Sequence, residues 1–415
     1  MEYPKIRSDV NAFPLTIEGK AMICFQDSQN LGQGVLIPRG LFARIVSFFD
    51  GQHTIRDIQY EVMREYGELV YTEQIEGLVQ QFDTALLLEG PRFHEALEGL
   101  KEDFGKGSLR PVFFSGKSYA ADGPGLRAQL QGYFLSPRGP GAPCREKRNP
   151  GLKGVMAPHI DFQRGGHCYA YAYKAVAEAP EADLYIILGI AHAPSESPFS
   201  LTPKDFETPF GIVRTDKDFV KGLSRRCSQN VFQDEFLHRS EHSIEFQVVF
   251  LQSALGSEMK ARIVPILCGS FDHYLGEGRL PEEDPSVSEF LDAVRSEAAA
   301  SQKRICFIAG VDLSHMGPQF GDPRSVDDLI RCQIQKEDLE VLEKVASFDG
   351  EGFFRILEKD RNVRRICGFP AIYVLLRTME TSRGEILKYD QGPTPDGQSV
   401  VGFAAMAFYE EPAGK

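Results

Sequence analysis

Histidines follow several of the strand-like apolar runs in the sequence. Such runs precede four polar residues that could do chemistry: His159, His192, Asp312 and His315. Pro158 cannot continue a central strand, so the first run should end directly before His159. Because open α/β sheets bind their ligands at the carboxyl ends of their strands, we expect these side chains to converge on one site.

His159 and His192 are candidate metal ligands. Neutral imidazoles bind Zn, Cu, Fe and Ni, and two rings that share an ion at ~2 Å per bond should lie within about 5 Å of each other. We therefore expect the two side chains to approach this closely. The alternative for either residue alone is a ring held by hydrogen bonds within a turn, since neither motif has a short metal-ligand spacing.

Two pairs with a spacing of three residues add acid–base groups. His242 and Glu245 begin a predicted helix and share one of its faces; they either serve a cleft or belong to a solvated first turn. Asp312 and His315 could orient a ligand, unless Asp312 only caps local amides. We interpret all four as candidate catalytic residues.

Cys367 lies just before a predicted helix at residues 369–378. The free N–H groups and the positive end of the helix dipole lower the pKa of a thiol at such a position. Arg364 and Arg365 should strengthen this effect. A buried and inert thiol is the alternative interpretation.

Composition limits the classes of function. The chain has 415 residues, which favours two domains, and its formal net charge of −13 argues against a general nucleic-acid binder. Its eight cysteines form no CxxC pair, which is typical of reduced thiols. No apolar run approaches the ~20 residues of a membrane span, and the N-terminus lacks signal-peptide features. We expect a cytoplasmic protein without membrane contact.

Strands alternate with helices from residue 153 onward, which predicts an α/β domain with helices on both faces of its sheet. We place this domain at residues 109–410, after a charged, glycine-containing join at residues 96–108.

Residues 1–95 form a smaller predicted unit. Two short strands around a turn at residues 27–30 precede three helices and a short strand at residues 87–93, a winged-helix pattern. Between Pro38 and Phe93 there are five arginines, no lysine and nine acidic residues. A DNA-binding domain should show a basic face, so we predict no nucleic-acid binding. A docking or purely structural role is the simpler alternative.

Five ordered motifs carry a resemblance to a known family. They are Ala-Pro-His at 157–159, Gly-Ile-Ala-His at 189–192, Glu-His-Ser-Ile-Glu at 241–245, Asp-Leu-Ser-His at 312–315 and Ile-Cys-Gly at 366–368. Residues 108–410 thus resemble the Memo family, whose prokaryotic members are called AmmeMemoRadiSam system protein B. The family is similar in fold to the catalytic subunit of class III extradiol dioxygenases, which are non-haem iron enzymes.

The resemblance implies a function as well as a fold. The family's metal-site residues map to His159, His192 and Cys367, and its eukaryotic members are linked to copper binding, redox activity and cell-motility signalling. Residues 41–51 and 54–58 resemble PqqD-like winged-helix modules, which bind peptide segments. A radical-SAM protein is the partner that the family's name suggests.

This chain departs from its relatives beside the expected pocket. Where many relatives have Ala-Gly-Tyr after the first histidine, this chain has Ile-Asp-Phe-Gln-Arg at 160–164. Asp161 and Arg164 therefore place unusual charge there, and we predict that they bind substrate.

Two hypotheses of function remain open. The first is a metal-dependent redox enzyme, of oxidase or dioxygenase type, acting with a radical-SAM system. A His, His and Cys set suits copper or zinc, whereas iron usually requires a carboxylate, which Glu245 or Asp312 could supply. The second is a non-enzymatic protein that binds a peptide or partner in a dioxygenase-like cleft.

Overall fold

A computed structural model of the chain describes residues 1–27, 31–144, 151–256, 259–379 and 383–410. The turn expected at residues 27–30 falls largely outside these ranges. The chain divides into two compact units, Met1–Lys106 and Gly107–Lys415. Among the described residues, no helix combines the length and the apolar character that crossing a membrane requires.

The first unit has a three-stranded antiparallel sheet, in the order β1-β2-β3, and four helices. Its elements are β1 (Val10–Ile17), β2 (Lys20–Asp27), β3 (Val35–Pro38), α1 (Leu41–Val46), α2 (Ile55–Tyr66), α3 (Thr72–Thr84) and α4 (Pro91–Lys106).

Helix α2 shows how local sequence sets the limits of an element. The Thr54 hydroxyl accepts a hydrogen bond from the Asp57 amide at 3.2 Å, and the Asp57 carboxylate accepts one from the Thr54 amide at 2.9 Å. This reciprocal capping box begins the helix. Gly67, with a φ of 68°, ends it in the left-handed conformation that glycine favours. Ile58 and Val62 are fully buried on its inner face.

One prediction for this unit is wrong. The strand expected at residues 87–93 is reduced to one bridge between Ile6 and Leu88, because Pro91 already begins α4. The join expected at residues 96–108 contains the end of α4, which continues to Lys106 and buries Phe104, and the boundary between the two units falls directly after it. The winged-helix assignment itself remains a prediction.

The second unit is built on an eight-stranded mixed sheet with the order β12-β14-β5-β11-β6-β10-β7, in which β13 also pairs with β14. Its strands are β4 (Leu109–Arg110), β5 (Leu152–Ala157), β6 (Leu184–Ile190), β7 (Phe199–Leu201), β8 (Asp205–Thr208), β9 (Gly211–Val213), β10 (Arg262–Cys268), β11 (Ile305–Gly310), β12 (His315–Met316), β13 (Arg383–Pro393) and β14 (Val400–Tyr409). Strands β4, β8 and β9 form a separate small sheet.

Among the described residues of this unit, eight α-helices accompany these strands. They are α5 (Gly123–Leu135), α6 (Phe162–Glu178), α7 (Lys217–Arg226), α8 (His242–Leu255), α9 (Pro285–Ala300), α10 (Asp328–Ala346), α11 (Gly350–Asp360) and α12 (Phe369–Thr378).

Helices cover both faces of the main sheet, which confirms the predicted α/β class. Side chains alternate along β6: Tyr185 and Ile187 face the core formed with α5, α6 and α8. Ile186 and Leu188 face the opposite core, formed with α7, α9 and α12. Strands buried on both faces read as continuous apolar runs, as seen here.

The sheet order brings the candidate site residues to one edge. Strand β11 lies between β5 and β6 and pairs with both in parallel. The carboxyl ends of these three strands therefore lie side by side, and His159, Asp312 and His192 follow them directly. This placement agrees with the expected position of ligand sites in open α/β sheets.

Helix α10 offers a matched test of its buried face. Leu342 is fully buried, whereas Leu329 on the same helix is 81% exposed. Leu342→Ala should lower the free energy of unfolding by about 2–5 kcal/mol, through lost apolar burial and the cavity that remains. Leu329→Ala should change it by less than about 0.5 kcal/mol. Urea denaturation of both variants measures the difference, and equal effects would contradict the packing described here.

Candidate metal centre and cleft

His159 is held at the end of β5 by two contacts with the end of β11. Its amide donates to the Asp312 carboxylate at 3.0 Å, and its Nδ1 lies 3.0 Å from the Gly310 carbonyl oxygen. Because a carbonyl only accepts, Nδ1 must carry the proton, which leaves Nε2 of the neutral ring as an acceptor or metal ligand. Burial alone would lower the pKa of His159, but the charges of Asp312 and Cys367 raise it to about 9.

His192 is oriented by a buried carboxylate. Its amide lies 3.2 Å from one oxygen of Glu241, and its Nδ1 lies 3.0 Å from the other. Glu241 is the N-cap of α8 and also accepts a hydrogen bond from the Ser243 amide at 2.9 Å. Burial opposes the ionisation of Glu241, yet the charges of His192 and His242 hold its pKa far below the usual range.

His242, the first residue of α8, completes a cluster of three imidazoles. Its Nδ1 lies 3.2 Å from the same Glu241 carboxylate, and its ring stacks on that of His192 at 4.6 Å between centroids. Burial lowers the pKa of His242, and although Glu241 raises it, the two neighbouring imidazoles help to hold it at about 3. His242 is therefore neutral near pH 7.

The three rings lie close enough together that they could hold a metal ion. The centroids of His159 and His192 are 4.8 Å apart, which confirms the predicted approach. One nitrogen from each of His159, His192 and His242 lies within 4.8 Å of the other two. Since each Nδ1 already lies beside an oxygen, the Nε2 atoms are the candidate ligands for an ion.

Cys367 lies beside this cluster. Its sulfur is 3.3 Å from Nε2 of His159 and 3.9 Å from the Asp312 carbonyl oxygen. Burial would raise the pKa of the thiol, but the charges of His159 and His315 lower it to about 5. The segments that contain Cys367 and Asp312 approach closely at Gly368, where a Cβ atom would lie 2.6 Å from the Asp312 carbonyl oxygen.

The two arginines expected to support the thiolate are used elsewhere. Arg364 is buried and pairs with Asp338 at 3.0 Å. Arg365 pairs with Asp322 at 2.8 Å. The lowered pKa of Cys367 therefore comes from the histidines, and the expectation for the arginines is wrong.

Asp312 and His315 both lie at the cleft. The Asp312 carboxylate accepts a hydrogen bond from the amide of His159 with one oxygen, and its second oxygen is 3.5 Å from Nε2 of that ring. Nδ1 of His315 lies 2.9 Å from the Leu313 carbonyl oxygen, so Nε2 of its neutral ring is an acceptor. The ring also packs edge-on against Phe320 at 5.0 Å.

Glu245 is not part of the cluster, which corrects its assignment as a catalytic residue or carboxylate ligand. It is fully buried in an ion pair with Arg110 and accepts hydrogen bonds from the Tyr119 hydroxyl and from the amides of Phe113 and Phe114, at 3.1 and 2.9 Å. Its oxygens are thus committed to holding residues 110–119 against α8. Arg110 also donates to the Glu241 carbonyl oxygen at 3.1 Å, which supports the start of that helix.

A cleft of about 320 Å³ opens above the histidines. Phe114, Phe246 and Phe320 contribute aromatic rings to its lining. Asp161 and Arg164 also line it, and they pair with each other at 2.6 Å. Asp161 is in addition the N-cap of α6. The structure thus places both predicted substrate-binding residues at the cleft, while their role remains a prediction.

Sequence reasoning missed the importance of Glu241. The motif at residues 241–245 drew attention to His242 and Glu245, which share a helical face. The available signal was the position of Glu241 directly before the helix, where an acidic side chain acts as N-cap and stays close to the following residues. Its contact with His192, 49 positions away, depends on tertiary structure.

The Arg110–Glu245 pair can be tested through stability. Arg110→Met should lower the free energy of unfolding by about 3–5 kcal/mol, because it leaves a buried carboxylate without its counter-charge. Adding Glu245→Gln should recover part of this loss. Chemical denaturation measures both, with Arg138→Met as the control, since Arg138 forms a largely exposed pair with Asp390. An Arg110→Met variant as stable as the wild type would remove the structural role assigned to Glu245.

Comparison with known proteins agrees with this architecture. The model of the family of Memo-like proteins matches residues 110–407. A MEMO1 family protein of Aquifex aeolicus is 29% identical over 378 residues, covering 90% of this chain and 92% of that protein. Another, of Methanopyrus kandleri, is 31% identical over 302 residues, covering 71% and 96%. The Aquifex similarity extends into the first unit, because residues 107–415 alone make up less of the chain than it covers. The chain belongs to the Memo family.

Proposed function

We propose that the second unit binds a divalent transition metal ion through His159, His192 and His242, and that the protein is a metal-dependent redox enzyme of oxidase or dioxygenase type. The observation that carries this proposal is the convergence of three imidazole nitrogens within 4.8 Å. Copper, iron and zinc are the candidate metals, because imidazole suits all three.

The donor set fits such an ion. Nitrogen ligands at ~2 Å from a metal lie at most ~4 Å apart, so the observed spacing requires only small side-chain rotations. Nδ1 of His159 donates to the Gly310 carbonyl oxygen and Nδ1 of His192 to the Glu241 carboxylate, while Nδ1 of His242 lies 3.2 Å from the same carboxylate. Such partners fix the tautomer and raise the basicity of the ligating nitrogen.

Cys367 is the natural fourth donor. The resemblance to the family implies the set His159, His192 and Cys367, and the geometry adds His242. A sulfur and a nitrogen that ligate the same tetrahedral ion lie roughly 3.5 Å apart, and the Sγ of Cys367 is 3.3 Å from Nε2 of His159. Its lowered pKa favours the thiolate, the form that binds metals.

The surrounding residues have distinct roles in this proposal. A bound ion would supply Lewis acidity and, for copper or iron, electron transfer. Asp312 orients His159 through its amide. His315 lines the cleft with its Nδ1 held by a backbone carbonyl oxygen, so in the neutral ring Nε2 is the atom that can accept a proton from a substrate. Phe114 and Phe246 exclude water from the side next to His242, whose ring they contact at 5.8 and 5.4 Å.

The alternative function is that of a peptide- or partner-binding protein with a dioxygenase-like cleft. It is favoured by the first unit, where α2 and the residues after it expose large apolar side chains: Tyr60, Met63, Leu69 and Tyr71. A PqqD-like module would bind a peptide, and a radical-SAM protein is the proposed partner. This alternative is non-enzymatic and assigns the cleft of the second unit to a partner, so it competes with the first proposal.

Metal content tests the first proposal. Protein prepared without chelators should retain copper, iron or zinc by elemental analysis, and His192→Gln or His242→Gln should weaken retention by more than the ~10–100-fold typical of an outer-shell change. His94→Gln is the control, since this exposed histidine pairs with Glu89 in the first unit. Wild-type protein that takes up none of the three ions would leave the binding-protein alternative.

Cys367 provides an independent test. With a pKa of about 5, its thiol should be about nine-tenths ionised at pH 6, where an ordinary thiol is almost wholly protonated. It should therefore alkylate faster than Cys227, another partly exposed thiol, whose pKa burial and Glu289 raise to about 11. Mass spectrometry gives the rate for each cysteine. Bound copper or zinc should protect Cys367, and Cys367→Ser should weaken metal retention. Equal rates without protection would remove Cys367 from the ligand set.

A further inference from the structure

Arg164 has unused hydrogen-bonding capacity at the mouth of the cleft. Its Nε donates to the Asp161 carboxylate at 2.6 Å. Within the part of the chain that the structure describes, neither of its two terminal nitrogens has a partner. The side chain lines the cleft and is one-third exposed. A guanidinium with free N–H groups presents the planar fork that binds carboxylates and phosphates.

The remaining lining sets the character of the rest of the ligand. The rings of Phe114 and Phe246 are in contact at 5.5 Å, and Phe246 contacts His242 at 5.4 Å. Phe320 lies against His315 at 5.0 Å. An aromatic surface thus extends from the histidines, and flat apolar groups pack well against such rings.

Charge limits the kind of anionic group that the cleft can bind, and volume limits the size of the ligand. Asp161 also lines the cleft and lies 2.6 Å from Arg164. Beside an anion bound to this arginine, its carboxylate repels a doubly charged phosphate more than a singly charged carboxylate. The volume of about 320 Å³ is near the lower limit for small-molecule pockets. It therefore suits one ring with a short substituent.

We propose that Arg164 is the anion-binding residue of this cleft and that its ligand is a small aromatic carboxylate, whose ring lies against the phenylalanines and whose carboxylate is bound by the guanidinium. Asp161 holds Arg164 in place and competes with the ligand for it. This inference rests on the proposed function in one respect, since it takes the cleft beside the histidines to be the substrate site.

Calorimetric titration of the full chain with benzoate, benzamide and phenyl phosphate tests the proposal. Benzoate should bind about tenfold more tightly than its neutral analogue benzamide, the difference expected of a charge-assisted hydrogen bond. It should also bind more tightly than phenyl phosphate. Arg164→Gln should abolish the preference for benzoate, whereas Arg164→Lys, which keeps the charge without the fork, should retain part of it.

Asp161→Asn should change the affinity for benzoate in the opposite direction. Asparagine is as good an N-cap as aspartate, so α6 should stay intact while the competing charge is lost, and benzoate should bind several-fold more tightly. A purely structural role of the pair predicts that both substitutions weaken binding. Arg138→Gln is the control, because this exposed arginine pairs with Asp390 and should leave benzoate binding unchanged.

Titrations of chelator-stripped and zinc-loaded protein separate this inference from the metal proposal. Benzoate binding that requires zinc and survives Arg164→Gln would show that the carboxylate binds the ion instead, and would overturn the inference. Absence of benzoate binding to wild-type protein, or tighter binding of phenyl phosphate, would also overturn it. An Arg164-dependent preference in protein that binds no metal would support the inference and remove the metal proposal.

Discussion

One buried carboxylate, that of Glu241, determines the arrangement of the histidines. It accepts hydrogen bonds from Nδ1 of His192 and from the amides of His192 and Ser243, and Nδ1 of His242 lies within 3.2 Å of it. A carboxylate that is removed from water is tolerated only when its oxygens are satisfied in this way. The contacts also act on the histidines, because the Glu241 carboxylate fixes the rings of His192 and His242 on their Nδ1 sides. Moving Glu241 would disturb the end of β6, the start of α8 and two of the three imidazoles together.

The alternation of strands and helices and the α/β class followed from local pattern, because strands buried on both faces leave continuous apolar runs in the sequence. The bounds expected for the helix Phe369–Thr378 are confirmed. Strands β7 and β9, of three residues each, carry no such pattern, since tertiary pairing defines them. Helix α4 was also missed, because its glycines and charges resemble those of a linker, although Phe93 and Phe104 are buried.

The part of the candidate site that could be predicted is the part that lies at the ends of neighbouring parallel strands. His159 and His192 end parallel strands separated only by β11, so their approach follows from topology. The separation of His242 from Glu245 could not be foreseen in this way. Both lie near the start of α8, but their partners come from distant parts of the chain. His242 stacks on His192, whereas Glu245 pairs with Arg110, which is 135 positions away. Helical spacing shows that two residues share a face, and it does not show what that face meets.

The floor of the cleft, at His315, is fixed by buried contacts, whereas its mouth, at Asp161 and Arg164, is partly exposed. This difference affects which ligands the cleft can select. At the floor, the backbone of His315 is fixed, because its amide donates to the Arg364 carbonyl oxygen at 2.7 Å. Arg364 is itself held by its ion pair with buried Asp338. Burial raises the pKa of Asp338 to about 6 even though Ser314 and Arg364 oppose this shift. The pair is costly to disturb because removing one partner leaves the other buried without its counter-charge. At the mouth, Asp161 and Arg164 are each one-third exposed and bond mainly to each other. Their replacement changes the charge presented to a ligand without removing a buried partner. Under the proposed function, the metal site at the histidines can therefore stay the same while these two positions change, and we expect the charged pair of this chain to alter substrate choice without changing the chemistry at the histidines.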